Sequence, residues 1–170
     1  MSITKELLRD MFEYVRWADA QLITAARSVG DDAYHREQGI SLGSIHKLQV
    51  HMMAAQWVWL SRWRDESPTR IENHEDYPTR DSVEQRWPLV HSAIFDFLGL
   101  QTPKSLARDV QYRNLKGEIF TAPLAELMMH VIDHAAYHRG QLNTMIKKAG
   151  GTPQGISYVN YVLSKSRALV

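Results

Sequence analysis

The chain contains 170 residues with a mass of 19.6 kDa, which predicts a single domain spanning residues 1–170. Hydrophobic residues make up 44% and charged residues 23% of it, which is typical of a globular protein and excludes a low-complexity chain. The net charge of +1 argues against nucleic acid or an anionic membrane as a partner. Cysteine is absent, which excludes disulfides, cysteine-ligated zinc and an internal thiol nucleophile.

Two long helices are predicted in the N-terminal part of the chain. Apolar residues recur at three- and four-residue spacing from Thr4 to Ser28, and Gly30 ends this first helix. Ser41 or Ser44 caps a second helix, which runs to about Trp63. The second helix is apolar on most sides, so we expect it to lie buried between its neighbours.

A third helix is predicted after an exposed connection. The segment from Arg64 to Thr79 contains two prolines and many charges, a composition typical of a loop. Asp81 to Glu84 reads Asp-Ser-Val-Glu, which has the form of a capping box, and opens a helix that continues to about Leu98.

A short β-hairpin is predicted before the fourth helix. Residues Val110–Arg113 and Glu118–Thr121 alternate in type around the turn-forming residues Asn114–Gly117. Pro123 suits the first turn of a fourth helix that runs to Ala149, and a shorter helix is predicted from Ile156 to Lys165. The predicted fold class is therefore all-α, a four-helix bundle with one short hairpin and a short C-terminal helix.

No secretory or membrane-spanning segment is recognised in the sequence. The residues from Met1 to Asp10 carry charges where a signal peptide needs an apolar run. The most apolar stretch, Val50 to Leu60, is interrupted by His51 and Gln56 and is too short to cross a bilayer. We therefore expect a cytoplasmic protein without a membrane partner.

The fourth helix carries three histidines at four-residue intervals, His130, His134 and His138. Residues at i and i+4 share a helix face, so two neighbouring imidazoles can bind one metal ion, whereas the outer two lie about 12 Å apart. A rotation of about 100° per residue places His134 and His138 at the edge of the apolar stripe and His130 nearer the polar side. We expect His134 and His138 to face inward.

A third ligand must come from another helix, and the second helix offers His46 and His51. Their five-residue separation puts them about 140° apart, so at most one of them faces the same ion. His46 lies on a face of large apolar residues, whereas His51 lies between Ala54 and Ala55, where a ligand and water have room. The helical periodicity therefore favours His51 over His46 as the third metal ligand.

Three segments of the chain resemble the DinB family, a group of damage-inducible bacterial proteins. They are Tyr14-Val-Arg-Trp-Ala-Asp-Ala20, Ser44-Ile45 followed by His51-Met-Met-Ala-Ala-Gln-Trp-Val-Trp-Leu60, and His130-Val-Ile-Asp-His134-Ala-Ala-Tyr-His138-Arg-Gly-Gln141. The His-x-x-x-His-Arg-Gly-Gln string in the last segment is the most specific of these features. The resemblance implies a bundle with a long crossover connection, related to thiol-dependent transferases and isomerases.

The resemblance also implies a ligand set. Matched residue by residue, the metal ligands of the family fall on His51, His134 and His138 of this chain. The implied cofactor is a divalent metal ion, zinc or nickel, and the implied assembly is a homodimer. The implied substrate is a small molecule, and any low-molecular-weight thiol must arrive as a cosubstrate because the chain has no cysteine.

Three functions remain open at this point. The leading hypothesis is a metal-dependent enzyme, a thiol S-transferase or a hydrolase, in which no side chain is identified as the catalytic group. The second is a non-catalytic dimer that binds metal or ligand in the stress response. The third is a structural dimer with incidental histidines, because His-x-x-x-His pairs also occur by chance. The pattern is not that of the His-Glu-x-x-His metalloproteases, since Ala135 follows His134.

The remaining histidines and the arginine of the motif receive structural interpretations. His35, His74 and His91 are expected to be surface residues, and Arg139 is expected to cap a helix or to form a structural pair.

Overall fold

The computed structural model describes residues 3–167, and well over half of them are helical. Four long helices dominate: α1 (Lys5–Ala26), α3 (Ile45–Trp63), α4 (Arg80–Gly99) and α6 (Leu124–Lys148). The shorter elements are α2 (Asp31–His35), α5 (Pro103–Leu106), β1 (Asp109–Arg113), β2 (Ile119–Pro123) and α7 (Tyr158–Arg167). The all-α class, the hairpin before the last long helix and the short C-terminal helix are all confirmed.

The four long helices pack as a square in which chain neighbours α1 and α3 occupy opposite corners. Helix α1 packs mainly against α4 and α6, and α3 packs mainly against the same two helices. The connection from α1 to α3 therefore crosses the bundle, as the predicted crossover requires. The core includes two tryptophans that are fully buried, Trp63 on α3 and Trp87 on α4.

Polar side chains at the N-terminal ends fix where the helices begin. The Thr4 hydroxyl accepts a hydrogen bond from the Leu7 amide, and the Ser44 hydroxyl accepts one from the Lys47 amide. Of the two predicted caps for α3, Ser44 is therefore the one used. A helix begins at such a residue because its side chain satisfies an amide that has no partner within the helix.

The capping box of α4 lies two residues before the predicted one. Thr79, and not Asp81, is the N-cap, and its side chain and that of Ser82 each accept a hydrogen bond from the other residue's amide. The predicted box at Asp81–Glu84 was therefore wrong. Glu84 instead forms an ion pair with Arg27, the residue that follows α1.

The β-hairpin leads directly into α6. Strands β1 and β2 are antiparallel, with Val110 opposite Ala122 and Tyr112 opposite Phe120. Pro123 is the last residue of β2 and the N-cap of α6, one position before the predicted first turn. The Leu124 amide donates to the Arg108 carbonyl at 2.9 Å, which ties the start of α6 to the segment before β1.

Two short helices, α2 and α5, were not predicted. Each has at most five residues, too few to show a 3.6-residue period in the sequence. Among residues 3–167, no helix combines the length and the apolar character needed to cross a membrane.

Candidate metal centre

His134 and His138 lie one turn apart on α6 with their rings close together. The two Nε2 atoms are 3.1 Å apart and the ring centroids are 4.4 Å apart. A separation of four residues produces this contact because the side chains of residues i and i+4 lie on one face of a helix. The two imidazoles therefore point their Nε2 atoms into the same space.

The neighbouring helix α3 brings His51 to the same space. The His51 ring centroid lies 5.6 Å from that of His134 and 4.8 Å from that of His138. One potential ligand atom from each of the three rings lies within 4.8 Å of the other two. The three residues that the sequence selects as candidate ligands are thus brought together by the packing of α3 on α6.

The three rings are largely withdrawn from water. His51 and His134 are half-buried and His138 is buried. Burial lowers the pKa of His51 to about 4, and the nearby His138 ring adds to this effect. Burial also lowers the pKa of His134 to about 4, with further contributions from His138, His51 and His130. At neutral pH both groups are therefore uncharged imidazoles with a lone pair to offer.

The buried His138 makes a second contact, on the far side of its ring. Its Nδ1 lies 2.8 Å from the Oε1 atom of Gln141, which is three residues further along α6. The same Oε1 accepts a hydrogen bond of 2.8 Å from the Ser41 hydroxyl, in the loop that precedes α3. Nδ1 is thus occupied by an amide oxygen while Nε2 faces His134.

The donor set fits a divalent transition metal ion. Neutral imidazole nitrogens are common ligands of zinc, nickel, copper and iron, and three of them leave coordination positions open. Their mutual spacing allows one ion to contact all three, and two ligands already lie on one helix. His51, His134 and His138 are the residues that could hold such an ion.

The other two candidate histidines do not join this cluster. His46 is buried on another face of α3, and its Nε2 donates to the Tyr77 carbonyl at 2.7 Å. His130 is exposed, and its ring packs against Trp59 with 4.9 Å between the centroids. Within the described residues, the group with metal-binding geometry contains neither of them.

Two cavities lie beside residues of the histidine cluster or their partners. One of about 220 Å³ is lined by His51 together with Lys47, Glu72 and His74. Another of about 340 Å³ is lined by Ser41, Tyr137 and Gln141, among others. A larger cavity of about 550 Å³ lies elsewhere, between the start of α1 and α5, and no histidine lines it. The cavity of about 220 Å³ thus reaches one histidine of the cluster, and the cavity of about 340 Å³ reaches Gln141, which contacts His138.

A second polar cluster, which the sequence reasoning missed, lies inside the bundle. His91 was predicted to be a surface residue, but it is buried, and its Nε2 lies 3.1 Å from Asp19 Oδ2. Asp19 also accepts a hydrogen bond of 2.8 Å from Gln56 and faces the buried Arg139. Of the two structural roles expected for Arg139, pairing is the one that the structure shows. The spacing of Asp19 in the sequence could have indicated its burial, because it lies four residues after Val15 and therefore on the same apolar face of α1.

Comparison with known proteins places the chain in a family. The sequence model of the DinB family matches residues 1–167. Protein DinB of Bacillus subtilis (strain 168) is 23% identical over 157 residues, which cover 89% of this chain and 91% of that protein.

Solved structures support the fold. A DinB-like protein from Bacillus cereus superposes with a TM-score of 0.70 at 21% identity, covering 92% of this chain and 100% of that one. YfiT from Bacillus subtilis, described as a probable metal-dependent hydrolase with an unusual four-helix bundle topology, gives a TM-score of 0.63 at 14% identity. That match covers 89% of this chain and 92% of YfiT.

Proposed function

Because the chain belongs to the DinB family, we propose that it binds a divalent metal ion through His51, His134 and His138 and is a metal-dependent enzyme acting on a small molecule. The observation that carries this proposal is the convergence of three ring nitrogens within 4.8 Å of one another. Zinc and nickel are the proposed metals, since both accept neutral imidazole ligands.

The reaction is proposed to be hydrolysis or the transfer of a thiol. A divalent ion held by three imidazoles lowers the pKa of a water molecule or thiol that occupies an open coordination position. The hydrolytic alternative is supported by the description of the structural neighbour YfiT. In the transfer alternative the thiol is a low-molecular-weight cosubstrate, because the chain has no cysteine.

Residues beside the candidate metal ligands line cavities in which a substrate could bind. His51 borders one cavity and Gln141, through its contact with His138, borders the other. Cavities of about 220 and 340 Å³ suit a small molecule rather than a polymer. The proposed assembly is a homodimer and the proposed location is the cytoplasm.

Metal analysis of untagged protein tests the ligand set. After reconstitution and desalting, the wild-type chain should retain one zinc or nickel ion. His51→Ala, His134→Ala and His138→Ala should each abolish tight binding, because two imidazoles from one protein hold an ion much less firmly than three. His130→Ala and His46→Ala, in the same two helices, are the matched controls and should retain about one ion.

Two outcomes would contradict the assignment. Loss of the ion from His46→Ala together with its retention by His51→Ala would show that the ligand on α3 is wrong. Equal retention by all the variants would show that the site does not exist. A metal-loaded protein that is inactive against ester, amide and thiol-conjugation substrates would favour the second function, a non-catalytic stress-response dimer that binds metal or ligand.

A further inference from the structure

Gln141 joins a candidate metal ligand to the loop before α3. Its Oε1 lies 2.8 Å from His138 Nδ1 and 2.8 Å from the Ser41 hydroxyl. An amide oxygen accepts hydrogen bonds and cannot donate them. Both neighbours therefore donate, which places a proton on His138 Nδ1.

The position of this proton decides which nitrogen of His138 has a lone pair available to bind a metal ion. A neutral imidazole carries one proton, so protonation at Nδ1 leaves the lone pair on Nε2. That Nε2 atom is the one that faces His134 Nε2 at 3.1 Å, in the centre of the histidine cluster. With the opposite tautomer, His138 would direct an N–H group at the cluster, and that proton would have to leave Nε2 before a metal ion could bind there.

We propose that Gln141 is a positioning residue that holds His138 in the Nδ1–H tautomer, so that Nε2 is ready to accept a divalent metal ion. The metal part rests on the proposed function, whereas the tautomer is a property of the metal-free protein. Hydrogen-bonding partners behind a histidine ligand commonly fix both its tautomer and its ring orientation.

The Ser41 hydroxyl is the second hydrogen-bond partner of the Gln141 amide oxygen, at 2.8 Å. A reversed amide would direct its NH₂ group at His138 Nδ1 and would favour the Nε2–H tautomer instead. Ser41 has a φ of 52°, in the left-handed region that few residues other than glycine adopt. Gly39 and Gly43 on either side also have positive φ, at 69° and 98°. In this loop conformation the Ser41 hydroxyl contacts Gln141.

The first test reads the tautomer directly in the metal-free protein. Nitrogen-15 NMR of the histidine rings, in the presence of a chelator, should show a single Nδ1–H tautomer for His138 in the wild type. Gln141→Leu has a similar volume but no acceptor, and it should show an increased Nε2–H population. Gln141→Glu retains an acceptor oxygen and should restore the Nδ1–H form. Thr144→Ala, which lines the same cavity, is the matched control and should behave as the wild type.

The second test measures zinc affinity by competition with a chromophoric chelator. Gln141→Leu should bind zinc about 10- to 100-fold more weakly, the usual effect of losing a partner behind a ligand. Gln141→Glu and Thr144→Ala should stay within about threefold of the wild type. Circular dichroism melting shows whether Gln141→Leu is folded, and Gln141→Met replaces it if it is not.

The outcomes separate this proposal from the proposed function. A wild-type protein that binds no metal contradicts the proposed function, while the NMR test of the tautomer still stands. A wild type that binds zinc while Gln141→Leu keeps the Nδ1–H tautomer contradicts the role of Gln141 alone. A changed tautomer with unchanged zinc affinity also overturns the proposal, because the tautomer would then not prepare the ligand.

Discussion

Arg139 on α6 and Asp19 on α1 face each other in the interior of the bundle, with 3.5 Å between Arg139 Nη1 and Asp19 Oδ1. Neither side chain is more than 1% exposed. The Arg139 guanidinium also lies 4.8 Å from the centre of the Tyr14 ring, a favourable cation–π distance. Together with Gln56 on α3 and His91 on α4, this cluster takes one polar residue from each of the four long helices.

Asp19→Ala is expected to destabilise the protein strongly. The substitution removes the carboxylate and leaves the Arg139 charge buried without compensation, which costs about 3–5 kcal/mol in comparable cases. Urea unfolding followed by circular dichroism measures the loss. The exposed Asp133→Ala on α6 is the control, with an expected change below about 0.5 kcal/mol. A loss below about 1 kcal/mol for Asp19→Ala would show that the cluster contributes little to stability.

Metal is expected to raise the melting temperature of the wild-type chain. At a free metal concentration of about 100 times Kd, binding to the folded state alone adds about 2.7 kcal/mol to the free energy of unfolding. For a chain of this size that corresponds to a rise of roughly 5–10 °C, measurable by calorimetry. His138→Ala should melt at the same temperature with and without metal, and an equal rise in both proteins would point to binding elsewhere.

The metal-free protein is expected to lose stability between about pH 6.5 and pH 4. The pKa of His51 and that of His134 are lowered from 6.5 to about 4 in the folded chain. In this range the unfolded chain binds protons at these histidines and the folded chain does not, so acid favours unfolding. Above pH 6.5 neither state binds these protons, and the effect vanishes. After allowance for solvent screening, each histidine contributes on the order of 1–2 kcal/mol.

Urea unfolding at several pH values, with a chelator present, measures this effect. The double variant His51→Gln/His134→Gln removes both titrating groups and should flatten the profile in that range. An equally steep profile in the double variant would assign the pH dependence to other residues.

The protein is expected to be a homodimer in solution. Several large apolar side chains are exposed, among them Leu89 and Leu100 on or beside α4 and Val159 and Leu163 on α7. Clusters of exposed apolar side chains often mark protein–protein contacts. Sedimentation velocity at micromolar concentration should show a species of twice the chain mass, and a single species of 19.6 kDa would contradict the prediction.

Local patterns in the sequence were sufficient to predict the long helices and the candidate ligands. His134 and His138 share a face because they are four residues apart, and the small neighbours of His51 distinguished it from His46. These relationships depend on spacing within a single helix, which the sequence shows directly. In the structure the three rings lie together while His46 bonds to Tyr77, and metal binding by the three stays a prediction.

Relationships between distant segments could not be predicted in the same way. His91 is buried because Asp19, on another helix, supplies its partner, and no local pattern records that pairing. The cap of α4 was missed for a different reason, because Thr79 pairs with a serine instead of the usual glutamate or glutamine. The same Thr-x-x-Ser arrangement begins α5 at Thr102, so it recurs within this chain.

The division of the histidine cluster between α3 and α6 also governs when it can form during synthesis. His51 is made early, whereas His134 and His138 follow only after α4 and the hairpin have been translated. Closing so long a loop costs entropy that the docking of α6 on α1 and α3 offsets. A nascent chain therefore has no three-nitrogen cluster until α6 has left the ribosome, and the proposed binding of a metal ion by all three histidines would have to follow that step.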